Sequence, residues 1–133
     1  MLFRSASRVR FLGDVAESDL PALYHACDVF VLPSTASTEG FGLVQLEAMA
    51  CAKPVVSTRL PTGVAVVNRH GVTGLTVPPG DAHALGEALN RLLTDRALAT
   101  TYGTMARRRV LESFAREQMV TDTLALYRSV GRG

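Results

Sequence analysis

A chain of 133 residues that is 47% hydrophobic and 20% charged has the material for one folded domain, spanning 1–133, and is not a disordered segment. A formal net charge of +2 is too mild for a nucleic-acid binder. No apolar run approaches the roughly 20 residues that a membrane-spanning helix needs.

The opening Met1-Leu2-Phe3-Arg4-Ser5-Ala6-Ser7-Arg8 lacks the apolar core of a cleavable signal and reads as no targeting segment. Residues 9–12, Val-Arg-Phe-Leu ending in Gly13-Asp14, predict a strand and its exit turn. Ser18 or Glu17 then opens a helix through Leu20, Leu23, Tyr24 and Cys27, with Pro21 in its first turn. Residues 29–32 are apolar without alternation, as in a parallel strand covered on both faces. Pro33 ends that strand, and a small polar loop, 34–38, follows at its carboxyl end, where open α/β sheets bind ligands. A helix is expected over 43–52, with Leu43, Val44, Leu46, Met49 and Ala50 forming apolar stripes. Lys53-Pro54 breaks it before the buried strand 55–57, and a short helix at 63–67 precedes a last strand at 74–77. Asp81 caps an amphipathic helix with Leu85, Ala88, Leu89, Leu92 and Leu93 inward. Helices over about 96–113 and 115–130 complete a chain whose alternation predicts an α/β fold with a parallel sheet.

Between the second strand and its helix stand two acids eight positions apart, Glu39 and Glu47, enclosing Gly40-Phe41-Gly42-Leu43. Glycines let main-chain N–H groups approach an anion, and a helix N-terminus adds partial positive charge. Carboxylates are strong acceptors for sugar hydroxyls. A phosphate held beside a polyhydroxyl group needs this combination, which points to a nucleotide-sugar site. As a competing account, Glu39 caps the helix and Glu47 is a solvated surface acid. Gly-Phe-Gly has little use as packing, however, and Leu46, Ala48 and Met49 make Glu47 a partly buried acid in need of a partner, such as a ribose diol. Phe41 is expected beneath the turn. Cys27, Cys51, His25, His70 and His83 are scattered, so neither a metal nor a disulfide is expected, and free thiols favour a reducing, cytoplasmic setting. Arg107-Arg108-Arg109 reads as a solvated helix face, with contact to anionic lipid as the alternative.

The order and spacing of several blocks carry a resemblance: Val9-Arg10-Phe11-Leu12-Gly13, Asp28-Val29-Phe30-Val31-Leu32-Pro33-Ser34, the Glu-x7-Glu segment, Ala48-Met49-Ala50-Cys51-Ala52-Lys53-Pro54-Val55-Val56 and Gly71-Val72-Thr73-Gly74-Leu75. The chain resembles the C-terminal, donor-binding half of a retaining glycosyltransferase of the GT-B fold, of the group 1, family 4 type. The resemblance implies a Rossmann-like parallel sheet with helices on both faces, doubly wound from about six strands, with this chain truncated at its N-terminal end. The two missing strands would sit between 9–12 and 29–32. The resulting gap is expected to be filled by a rearranged first strand, a second copy through strand pairing, or an upstream segment.

By the same resemblance Glu39 takes the catalytic position, hydrogen-bonding the donor sugar. The main chain of Gly40, Phe41, Gly42 and Leu43 meets sugar and diphosphate, Glu47 takes the ribose hydroxyls, and Gly13 through Val15 grips the base. An Arg/Lys pair that neutralises the diphosphate and an N-terminal acceptor domain belong to stretches this chain lacks. The implied activity moves a hexose from a nucleoside-diphosphate sugar to a glycan or lipid-linked acceptor with retention, in the cytoplasm or at the inner membrane face, with the donor as substrate and no cofactor. A non-catalytic nucleotide-sugar-binding module that needs a separate acceptor domain is the alternative.

Overall fold

The structure, a computed structural model, describes residues 8–130; all but the last residue of the opening Met1-to-Arg8 segment lies outside the described residues. Three strands, β1 (Phe30–Leu32), β2 (Val55–Thr58) and β3 (Gly74–Val77), form a parallel sheet in the order β1-β2-β3. Val55 pairs with Phe30 on one side and with Gly74 on the other. Every residue of β2 and β3 is buried, the cost of which is offset because ladder partners take the main-chain polar groups and helices cover both faces.

Side chains alternate between those faces. Val56, Leu75 and Val77 turn one way to meet Leu92 of α4 (Ala82–Thr94) and Tyr102 of α5 (Arg96–Ser113). Val55 turns the other way, where it clusters with Met49 of α2 (Leu43–Ala50), Val67 of α3 (Val64–Val67) and Ala106. Asn68, 1% exposed, pins the second face: its Nδ2 donates to Val55 O, Ser57 Oγ and Leu75 O at 3.1, 2.9 and 3.1 Å. Helices on both faces of a parallel sheet match the fold expected from the alternation of elements. The last two expected helices are α5 and α6 (Arg116–Val130).

Several expectations need correction. Residues 9–12 form no strand, and Phe11 is 96% exposed. A parallel strand is stable only when a neighbour takes its ladder bonds, and β1, which pairs with β2 alone, is not flanked by this segment. The described sheet therefore has three strands, where the sequence suggested four and the resemblance about six. The helix α1 (Leu20–Ala26) starts from Asp19, not from Ser18 or Glu17. Leu93 is exposed, because Leu92 alone of that pair points at the sheet. Beyond these corrections, no residue of α6 is buried, and its Met119, Leu124 and Tyr127 contact solvent.

Candidate functional site

The loop between β1 and α2 lies at the carboxyl edge of the sheet and is tied to the end of β2, where Thr58 Oγ1 donates to Ser34 O at 2.6 Å. It ends in Gly42, a buried residue in the left-handed conformation with φ 68° and ψ 59°. A Cβ there would lie 2.7 Å from Leu32 Cδ2 and 2.9 Å from Gln45 Nε2, so the turn requires glycine both for its dihedral and for space. Phe41 packs beneath the turn as expected, its ring edge-on to Phe114 with centroids 5.9 Å apart. Gly63 closes over it: a Cβ at Gly63 would meet Phe41 Cδ2 at 2.5 Å and Gly40 O at 2.8 Å. Gln45, fully buried, braces the turn by donating from Nε2 to Phe41 O at 3.3 Å.

Arg109 completes this support. Its guanidinium donates to Val66 O and Val67 O at 2.7 and 3.1 Å and stands 5.1 Å from the Phe114 ring centre. Burial, with Arg69 nearby, pulls its pKa down. The arginine run is thus not wholly a solvated face: Arg109 caps the carbonyl end of α3, while Arg108 pairs with Glu112 along α5.

The N-terminus of α2 has no side-chain cap. By contrast, Asp81 and Asp95 each accept from a first-turn N–H of α4 and α5 at 2.9 Å. Glu39 is half-buried just upstream, and its own main-chain N–H bonds Ala36 O; it does not cap the helix, which removes the competing structural account of it. Gln45 N–H bonds Gly42 O at 2.9 Å, so the N–H groups of Leu43 and Val44 are the ones left open at the positive end of a helix dipole, an arrangement suited to an anion.

Glu47 departs from expectation. It is exposed, not partly buried, since Gln45, Ala48 and Met49 form the inner face of α2, and Glu47 shares the outer face with Leu43, itself 65% exposed. It nonetheless has a protein partner: Tyr24 Oη donates to Glu47 Oε2 at 2.6 Å. Burial first, then the bond to Glu47 and its negative charge, push the Tyr24 phenol up to about 12. The Tyr24 ring lies 5.8 Å from that of Phe30, tilted by 59°. Between α1 and α2 opens a cleft of about 350 Å³, lined by Glu17, Leu20, Pro21, Tyr24, Glu47 and Cys51. Gly13, left-handed and exposed, and Val15, half-buried, precede α1 and do not line it. Another cleft, of about 200 Å³, contains Asp28, Lys53 and Arg96 around the start of β2, and its Lys53 already donates to His25 O at 2.8 Å. Among the described residues no three His, Cys, Asp or Glu side chains converge as a metal site.

The candidate site is thus a glycine turn and open helix end with Glu39 before it and Glu47 after it, the latter facing a cleft. Tyr24, Gln45, Gly63 and Arg109 were not legible as parts of it. Only Tyr24 left a trace, through its place on one helical stripe with Leu20 and Cys27.

A family model described as "Glycosyl transferases group 1" matches residues 5–109. The O-antigen chain mannosyltransferase C of Escherichia coli is 35% identical over 124 residues, which are 93% of this chain and 33% of that protein. Sucrose-phosphate synthase from Thermosynechococcus elongatus superposes with a TM-score of 0.88 at 38% identity, covering 98% of this chain and 32% of the other. Anabaena Alr3699/HepE, solved in complex with UDP, superposes with a TM-score of 0.81 at 35% identity, covering 90% of this chain and 32% of the other. The chain therefore spans about a third of the length of these relatives, and the likeness identifies the C-terminal half of a GT-B fold.

Proposed function

The chain belongs to the group 1 glycosyl transferases, and on that premise we propose that it is the donor-binding domain of a hexosyltransferase that moves a sugar from a nucleoside diphosphate to a glycan or lipid-linked acceptor, with retention. The observation that carries this reading is the uncapped start of α2 between Glu39 and Glu47. In the proposed complex the diphosphate meets the main-chain N–H groups around Gly42 and Leu43, where the helix dipole offsets its charge. Glu39 accepts hydrogen bonds from the sugar hydroxyls at the reacting end. Glu47 lies five residues into α2, about 7.5 Å along the helix axis at 1.5 Å per residue, and accepts the ribose diol. The cleft beside it receives the nucleoside, with the main chain from Gly13 to Val15 closing on the base.

Complexes of Alr3699/HepE with UDP and with UDP-glucose support a nucleotide-sugar donor, and the mannosyltransferase relative supports a glycan-building role. The acceptor is assigned to an N-terminal domain across an interdomain cleft, and the remaining positive charge on the diphosphate to an Arg/Lys pair in an upstream stretch. Saturation-transfer NMR of the chain against UDP-, GDP- and ADP-glucose tests the reading. Transfer to both sugar and ribose protons of at least one donor is expected; no transfer to any of them overturns it.

A further inference from the structure

An exposed glutamate is a poor diol receptor by itself, because its long side chain loses rotamer freedom when it is held in one geometry. Glu47 escapes that cost in part. Its Oε2 already accepts a 2.6 Å bond from Tyr24 Oη, leaving Oε1 and further lone pairs for a ligand. The tether is itself fixed: the Tyr24 ring has two torsions, is half-buried on α1 and leans on Phe30 of β1 at 5.8 Å. Both ends of the bond line the cleft between α1 and α2.

We propose that Tyr24 is a positioning residue for ribose recognition, its phenol fixing Glu47 so that the free carboxylate oxygen faces the cleft. The proposal rests on the assignment of Glu47 to the ribose diol. It assigns α1 a part in donor selection, since displacement of α1 would release the acid, and makes preference for a ribose over a deoxyribose the property that Tyr24 controls. The phenol is a donor throughout the neutral range, and burial with the Glu47 carboxylate pushes its pKa further up, to about 12. The alternative is that the bond merely fastens α1 to α2.

NMR titration of the chain with UDP, GDP and ADP, followed by the 2′,3′-dideoxy form of the tightest binder, separates these accounts. The chain is expected to prefer the ribose form. Tyr24→Phe, which keeps the ring, should weaken that form about three- to tenfold, leave the dideoxy form unchanged and retain the urea midpoint near neutral pH to within a tether's worth. In Tyr24→Phe/Glu47→Ala the loss should equal that of Glu47→Ala alone. Absence of binding, or equal binding of both forms by the parent chain, overturns the ribose assignment and this proposal with it. A parent preference that survives intact in Tyr24→Phe, or a loss shared equally by both forms, overturns the role of Tyr24 alone.

Discussion

Replacing Gly42 by alanine tests the turn on which the site is built. Gly42 has φ 68°, and an L side chain held in the left-handed region costs about 1–2 kcal/mol. Its new Cβ would lie 2.7 Å from Leu32 Cδ2 and 2.9 Å from Gln45 Nε2, an overpacking that typically adds about 1–3 kcal/mol. Restricting the unfolded chain returns about 0.4–1 kcal/mol. The expected net loss, measured as the urea unfolding free energy, is therefore about 1–4.6 kcal/mol. Gly40→Ala is the internal control: a Cβ there meets nothing within 4 Å and its φ is not positive, so its effect should lie between neutral and about 1 kcal/mol stabilising. If Gly42→Ala falls within about 0.5 kcal/mol of the parent chain, the left-handed, close-packed turn is refuted.

Glu39→Ala and Glu47→Ala should each weaken nucleotide-sugar binding by about 1.5–3 kcal/mol, as expected for a hydrogen bond to a charged group. Glu47→Ala should also weaken the bare nucleoside diphosphate, whereas Glu39→Ala should spare it; calorimetry that finds equal effects on both ligands rejects the two roles. Ala52 has φ 57°, so Ala52→Gly should stabilise the chain, with relief of about 1–2 kcal/mol reduced by the extra entropy of unfolded glycine; a lower urea midpoint contradicts this. The raised pKa of Tyr24, about 12 against an ordinary 10.0, means that the folded chain favours the protonated phenol. That contribution is fully present below pH 10 and lost as pH climbs toward 12, and urea midpoints between pH 8 and 12 should fall less steeply in Tyr24→Phe than in the parent.

Much of the fold was legible because it is written in local patterns. An unbroken apolar run marked β1, the breaker Lys53-Pro54 and the closing Pro78-Pro79-Gly80 bounded β2 and β3, and Asp81 announced the start of α4. The glycine turn and its two acids were legible as a candidate site because left-handed backbone and open helix ends have few residue solutions. The environment of Glu47 was misread because its apolar sequence neighbours Leu46, Ala48 and Met49 lie on other sides of the helix. The segment 9–12 was misread because its strand propensity is real but its ladder partners are not supplied by the neighbouring elements.

The sequence by itself determined the order of the three strands from β1 onward and of the helices, the parallel class of the sheet and the position of the turn, since each depends on residues close together in the chain. Tertiary structure alone decided that Tyr24, twenty-three positions upstream, holds Glu47, that Gly63 and Phe114 enclose Phe41, and that Asn68 and Arg109 satisfy carbonyls of distant segments. Those pairings have no local code. They are selected by packing and by the requirement that buried polar groups find partners, which only the assembled chain can meet.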